Sequence, residues 1–185
     1  MKSKAEIIRE NLAGLNVLDI GGAGYGEDNS YELELREAWK SCKTRTSVDL
    51  SEKADISVNL NDLPLPPLSG DYDMAAAFDV LEHLEHPVDV LRWIPCSRLI
   101  AILPNALSWL TRRMEERYRS KHLYSFTTYT GAVMLKEGGW LANRIEYQFG
   151  KWSLAARLIN LAGSVCPSRI ATGLVFYCDR IHPHQ

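Results

Sequence analysis

The sequence predicts an α/β fold: a three-layer, doubly wound, mostly parallel sheet of seven strands. Three observations lead there. Short apolar runs alternate with helical patterns along nearly the whole chain. The first run, Asn16-Val17-Leu18-Asp19-Ile20, ends directly in glycines, the punctuation of a strand-to-helix turn. The 185 residues, 46% hydrophobic and 24% charged, suit an ordinary globular domain that buries a substantial core without staples.

Each element follows from local pattern. A helix over 3–12 places Ile7, Ile8 and Leu12 on one face. The strand 16–20 is a buried apolar run. A helix over 30–41 follows, with Asn29 and Glu32 spaced as a capping box. Residues 44–50 form the second strand, 55–59 a short third, and the three prolines of 62–70 a loop before a fourth strand at 71–78. Pro87 starts a helix that runs through 88–93, and the fifth strand, 98–103, is closed by Pro104. Helices are expected at 106–119 and 127–136, the second stopped by Gly138-Gly139. Two last strands, 140–149 and 173–180, flank a helix at 152–163, and this late pair is expected to put an antiparallel strand at the sheet edge. Without repeats, low-complexity tracts or a long linker, residues 1–185 are expected to form a single domain.

A formal net charge of -2 and a pI near 6.2 predict no general affinity for nucleic-acid backbones or anionic membranes. The N-terminus has no apolar signal core and no run approaches a membrane span, so the expected location is cytoplasmic. Cys42, Cys96, Cys166 and Cys178 lie far apart with no Cys-x-x-Cys pair, which argues for free, mostly buried thiols rather than a zinc knuckle or thioredoxin-type site.

The chemistry concentrates at strand ends. In Asp19-Ile20-Gly21-Gly22-Ala23-Gly24 the glycines let the backbone bend sharply and let a ligand lie against it. The Asp19 carboxylate there orients the turn or reaches an ammonium group. A dinucleotide turn of the Gly-x-Gly-x-x-Gly kind would need glycine at position 27, which is Glu27, and an acid there repels phosphate. A cationic ligand tolerates such acids. Asp49, closing Thr46-Ser47-Val48-Asp49, lies beside that turn and can accept both hydroxyls of a ribose, or else cap a helix N-terminus or stand as a solvated loop acid. Asn59 and Leu60 offer an amide and a backbone N–H for an adenine edge.

Taken in order, Val17–Gly24, Val48-Asp49-Leu50-Ser51, Asp71-Tyr72-Asp73-Met74 and Phe78-Asp79-Val80-Leu81-Glu82-His83-Leu84 resemble the motif set of class I S-adenosylmethionine (SAM)-dependent methyltransferases. Leu103-Pro104-Asn105, His122-Leu123-Tyr124-Ser125-Phe126-Thr127 and Gly138-Gly139-Trp140 look like the tail of their small type 11, ubiquinone-biosynthesis-like branch. The resemblance implies a Rossmann-like methyltransferase fold that binds SAM, releases S-adenosyl-L-homocysteine, and methylates an oxygen or nitrogen of a small molecule, with no nucleic-acid or membrane partner. It puts the methionyl portion of SAM on Asp19, Gly21 and the Phe78-Asp79 strand end, the ribose on Asp49, and the adenine near Asn59 and Leu60, with Gly22 and Gly24 also among the cofactor-binding residues. Two departures stand out: the glycines fall at 21, 22, 24 and 26, and Asn59 replaces an acid, which removes charge assistance from the bond to adenine.

Pro104-Asn105, Trp109 and Arg112 are also similar to a segment of the MetW family of methionine biosynthesis. That likeness implies a rival role, a methyltransferase-like subunit that regulates a partner acyltransferase. A third reading, an NAD-dependent oxidoreductase, lacks both the glycine register and a dehydrogenase catalytic set.

Methyl transfer needs positioning and, for a protonated nucleophile, a base. His122, in the expected acceptor-cap region near 105–126, is the candidate catalytic residue. His83 and His86, with Glu82 and Glu85, have metal-like spacing but no strong third ligand in sequence, so no metal is expected and Glu82 and His83 read as a link between strand four and its loop. The basic stretch Arg112–Lys121 reads as a solvated helix face or a cap that attracts an anion, and Trp93, Trp109 and Trp140 as core or pocket wall.

Overall fold

The computed structural model describes residues 2–23, 30–118, 122–148 and 166–181, with the side chains of 30, 31 and 114–118 left out. Gly24, Glu27, Asn29, residues 119–121 of the basic stretch and the helix expected at 152–163 lie outside the described residues.

The described elements are α1 (Lys4–Asn11), β1 (Asn16–Ile20), α2 (Ser30–Trp39), β2 (Thr44–Asp49), β3 (Ile56–Ser57), β4 (Met74–Phe78), a 3-10 turn (Leu81–His83), α3 (Pro87–Trp93), β5 (Arg98–Pro104), α4 (Trp109–Tyr118), α5 (Thr128–Glu137), β6 (Trp140–Gln148), α6 (Pro167–Ile170) and β7 (Gly173–Arg180). The seven strands form one sheet in the order β3-β2-β1-β4-β5-β7-β6. β1 to β5 are parallel, and β7 runs antiparallel to both β5 and β6.

The antiparallel strand is therefore interior, not at the edge as expected, and composition explains the correction. Gly173-Leu174-Val175-Phe176-Tyr177-Cys178 is apolar throughout and nearly all buried, as a strand covered on both faces must be. β6 carries Asn143, Arg144 and Glu146 and is largely exposed, so it takes the edge.

Side-chain alternation splits the core into two layers. Leu18, Ile20, Ala75, Ala77, Leu99, Ala101, Leu174 and Phe176 face one side, packed by Leu81, Val90, Leu91, Leu135 and Trp140. Val17, Met74, Ala76, Phe78, Ile100 and Ile102 face the other, against Ile7, Ile8 and Leu12 of α1 and Leu35 and Trp39 of α2. α1 starts at a capping box: Ser3 Oγ accepts from Glu6 N at 3.3 Å, and the Glu6 carboxylate accepts from Ser3 N at 2.7 Å.

Cys96 and Cys178 are buried, Cys42 is half-buried and Cys166 exposed, all four as free thiols. Trp140 is core, its indole donating to Leu91 O at 2.9 Å; Trp109 is 49% exposed and belongs to the surface instead. Among the described residues, no helix is long and apolar enough to cross a membrane.

Candidate functional site

The carboxyl ends of β1, β2 and β4 lie side by side, which brings the glycine turn, Asp49 and the Asp79–His83 segment to one rim of the sheet. The turn is fixed from both sides. Gly21 has φ +77° and donates its N–H to Val48 O at 2.7 Å. A Cβ on Gly21 would stand 2.5 Å from Val80 Cγ2, and one on Gly22 would stand 1.9 Å from Asp19 Oδ2. The glycines do provide the sharp bend. The room they leave at 21 and 22, however, is filled by the protein's own side chains.

Asp19 is buried to 1% exposure, and its Oδ2 accepts two hydrogen bonds from Arg45, from Nε at 2.8 Å and Nη2 at 2.6 Å. The same Nη2 donates to Gly22 O, and the guanidinium lies 4.7 Å over the Trp39 ring. Asp19 thus orients the turn through Arg45. Burial pushes its carboxyl up to about 6, against the pull of the Arg45 charge. Arg45 has no place in the sequence-derived site. β1 pairs with β2 so that Arg45 sits opposite Val17, two residues before Asp19 on the same face, a diagonal that a long side chain spans. An arginine inside an otherwise half-buried strand was the available signal.

Asp49 Oδ1 accepts from Ser51 N at 3.0 Å and Oδ2 from Ala23 N at 3.3 Å. Each oxygen keeps lone-pair capacity for a further donor. Asn59 Oδ1 accepts from Asn61 N at 3.2 Å, shaping the loop after β3, while the Leu60 side chain is in the core. The Phe78 ring packs in the layer of α1 and α2, 5.9 Å from Trp39, so it is the main chain of this strand end that belongs to the rim. Asp79 follows with φ +51° and an ion pair to Lys4 that ties α1 to the end of β4.

Beyond it, the Glu82 side chain is 1% exposed and neither carboxylate oxygen has a hydrogen-bond partner among the described residues. Burial, and secondly the charge of Asp79, push this carboxyl up to about 8. His122 Nε2 lies 3.9 Å and His83 Nε2 4.0 Å from Glu82 Oε1, and the imidazoles meet edge to face at 4.8 Å. The chain before α5 is held there by Leu123 N donating to Glu82 O at 2.8 Å and by Tyr124 Oη donating to Glu85 O at 3.1 Å. The expectation that His83 and His86 have no third ligand nearby is thus corrected in both members: His122 joins Glu82 and His83, whereas His86 is exposed at the cap of α3. Asn105, buried, donates to Ser168 O at 2.9 Å and Ala171 O at 2.8 Å, a structural tie between β5 and α6.

No family model matches the sequence, and no curated protein does either. Solved structures do match. An S-adenosylmethionine-dependent methyltransferase from Mesorhizobium loti aligns at TM-score 0.59 and 16% identity, covering 95% of each chain. The magnesium protoporphyrin IX methyltransferase of Synechocystis with bound SAH aligns at TM-score 0.54 and 16% identity, covering 94% of this chain and 78% of that one. The cyclase SpnF aligns at TM-score 0.56 and 16% identity, covering 96% and 80%. The fold is the Rossmann-like methyltransferase fold. A cyclase among its neighbours means that function must be read from the site.

Proposed function

We propose that this chain is a SAM-dependent methyltransferase that methylates an oxygen or nitrogen of a small molecule, with residues 105–126 as the acceptor side of a single domain. The observation that carries this reading is the meeting of the glycine turn with Asp49, through Ala23 N and Asp49 Oδ2, on the rim that also carries Glu82 and His122.

The donor set suits the cofactor: a carboxylate with spare acceptor capacity for a diol at Asp49, an amide at Asn59, and the main chain of the turn and of Phe78-Asp79. Asp19 is the exception. Its charge is already met by Arg45, so it shapes the loop and leaves the methionyl ammonium to other groups. When bound, the cofactor supplies a methyl on a cationic sulfur. On the acceptor side, His122 would hold the nucleophilic group and take up its proton. Its 20% exposed side chain faces both the buried Glu82 and solvent, which suits that relay.

Calorimetric titration with SAM and with S-adenosyl-L-homocysteine tests the reading. Saturable heat with a thermal shift is expected; neither, at millimolar ligand, refutes it. The exposed Leu107, Trp109 and Tyr129 favour a second reading, a SAM-binding subunit that docks on a partner enzyme. Binding without turnover of any acceptor, together with co-purification of an acyltransferase, would select it.

A further inference from the structure

We infer that Glu82, His83 and His122 form a binding site for one first-row divalent transition ion of the zinc class. Three observations point there. The ligand atoms of a carboxylate and two imidazoles all lie within 4.8 Å of one another, although His122 comes from a segment far along the chain. Glu82 is buried with neither oxygen hydrogen-bonded among the described residues, an arrangement that native proteins normally resolve with a donor or an ion. At 3.9 and 4.0 Å, the imidazole nitrogens stand beyond hydrogen-bond distance of Glu82 Oε1.

Around a tetrahedral ion with bonds of about 2.1 Å, neighbouring ligand atoms are ~3.4 Å apart. Each imidazole would therefore close on Oε1 by roughly half an ångström, and the widest pair of ligand atoms, at 4.8 Å, by about 1.4 Å, through rotation of side chains that are 20% and 41% exposed. The main-chain clamp from Leu123 N to Glu82 O already holds the His122 segment in place for it. Two imidazoles with one carboxylate select zinc-like ions over Mg2+ or Ca2+, which favour all-oxygen shells.

Three protein ligands leave a position open on the rim where the acceptor is placed above. An acceptor oxygen held there would lose its proton at lower pH, so in the loaded protein the ion would take over the task given above to His122. Only this use of the ion rests on the methyltransferase reading; the site itself does not.

The test uses the full, untagged chain stripped with a chelator, titrated with Co2+ followed by its visible d–d absorption and with Zn2+ by calorimetry, both without SAM. One ion per chain is expected, displaced by Zn2+ and indifferent to Mg2+. Glu82→Gln and His122→Ala should each weaken binding by at least ~100-fold, beyond the loss seen on removing an outer-shell partner. His86→Ala should leave it unchanged. Should Glu82→Gln fail to fold, the partly exposed His122→Ala decides. No saturable uptake by the unmodified chain, or uptake that survives His122→Ala, overturns the inference. SAM binding without Zn2+ binding defeats this site alone, and Zn2+ binding without SAM defeats the functional reading alone.

Discussion

Replacing Asp19 by Asn asks which force governs the glycine turn, burial or Arg45. The carboxyl is 1% exposed and its folded pKa is pushed up to about 6 from 3.8. A proton is thus held more tightly in the folded than in the unfolded chain. The stability this group contributes is full below about pH 4 and is lost as pH rises through 6, because the buried carboxylate must then carry its charge. The span corresponds to about 3 kcal/mol, of which about 2 falls between roughly pH 4.5 and 7. Asn cannot titrate, and it leaves the other groups common to both proteins. The unfolding free energy of the wild type minus that of Asp19→Asn, from urea titrations across this range, should therefore fall by about 2 kcal/mol as pH rises. A flat difference would mean that Arg45 fully balances burial. A difference that grows with pH would show the ion pair to dominate and would refute the reasoning.

Gly22→Ala puts a Cβ 1.9 Å from Asp19 Oδ2 and 2.8 Å from Arg45 Nη2; a loss of about 1–3 kcal/mol is expected by thermal or urea unfolding. Asp49→Ala should weaken SAM binding by about 1–3 kcal/mol in calorimetry, and unchanged affinity would remove the ribose assignment. Asn105→Ala strips the carbonyls of Ser168 and Ala171 of a buried donor and Leu107 N of its acceptor at 3.1 Å. It should cost about 2–4 kcal/mol of stability, measured by denaturant unfolding at unchanged slope. Lys4→Met removes a partly exposed ion pair with Asp79 and should cost under about 1 kcal/mol, with a difference that shrinks in high salt.

Where local chemistry decides, sequence and structure agree residue by residue. β1 spans Asn16–Ile20 as expected because an apolar run is bounded by Asn and Gly, and β7 spans Gly173–Arg180 for a similar reason. Ends move where a polar side chain takes a backbone group. β3 contracts to Ile56–Ser57 as Asp55 turns to Ser47, accepting from its N at 2.8 Å and its Oγ at 2.7 Å. β4 starts at Met74 because Asp73 instead accepts from Asn16 N at 2.8 Å. α4 starts at Trp109 since Asn105 Oδ1 takes the amide of Leu107 and Ser108 Oγ that of Thr111 at 3.3 Å. What the sequence could not show are contacts that exist only once register is set. Arg45 meets Asp19 across 26 positions, and His122 meets Glu82 only after β5 has carried the chain back to the same rim.

These contacts give the glycine turn a different task from the one its composition suggests. Gly21 packs on Val80, the residue after Asp79, and Gly22 makes room for Asp19 and Arg45. The turn therefore couples the β2 side of the rim, where Asp49 holds Ala23 N, to the β4 side, where Glu82 and His122 stand. In the proposed reading the first side holds the cofactor and the second the acceptor, and in-line transfer requires the two to be set against each other within a fraction of an ångström. A Cβ at either glycine would push those sides apart without touching a reacting atom. On this reasoning the left-handed φ of +77° and the close approach of β1 to Val80, more than access of a ligand to the backbone, are what require glycine at position 21.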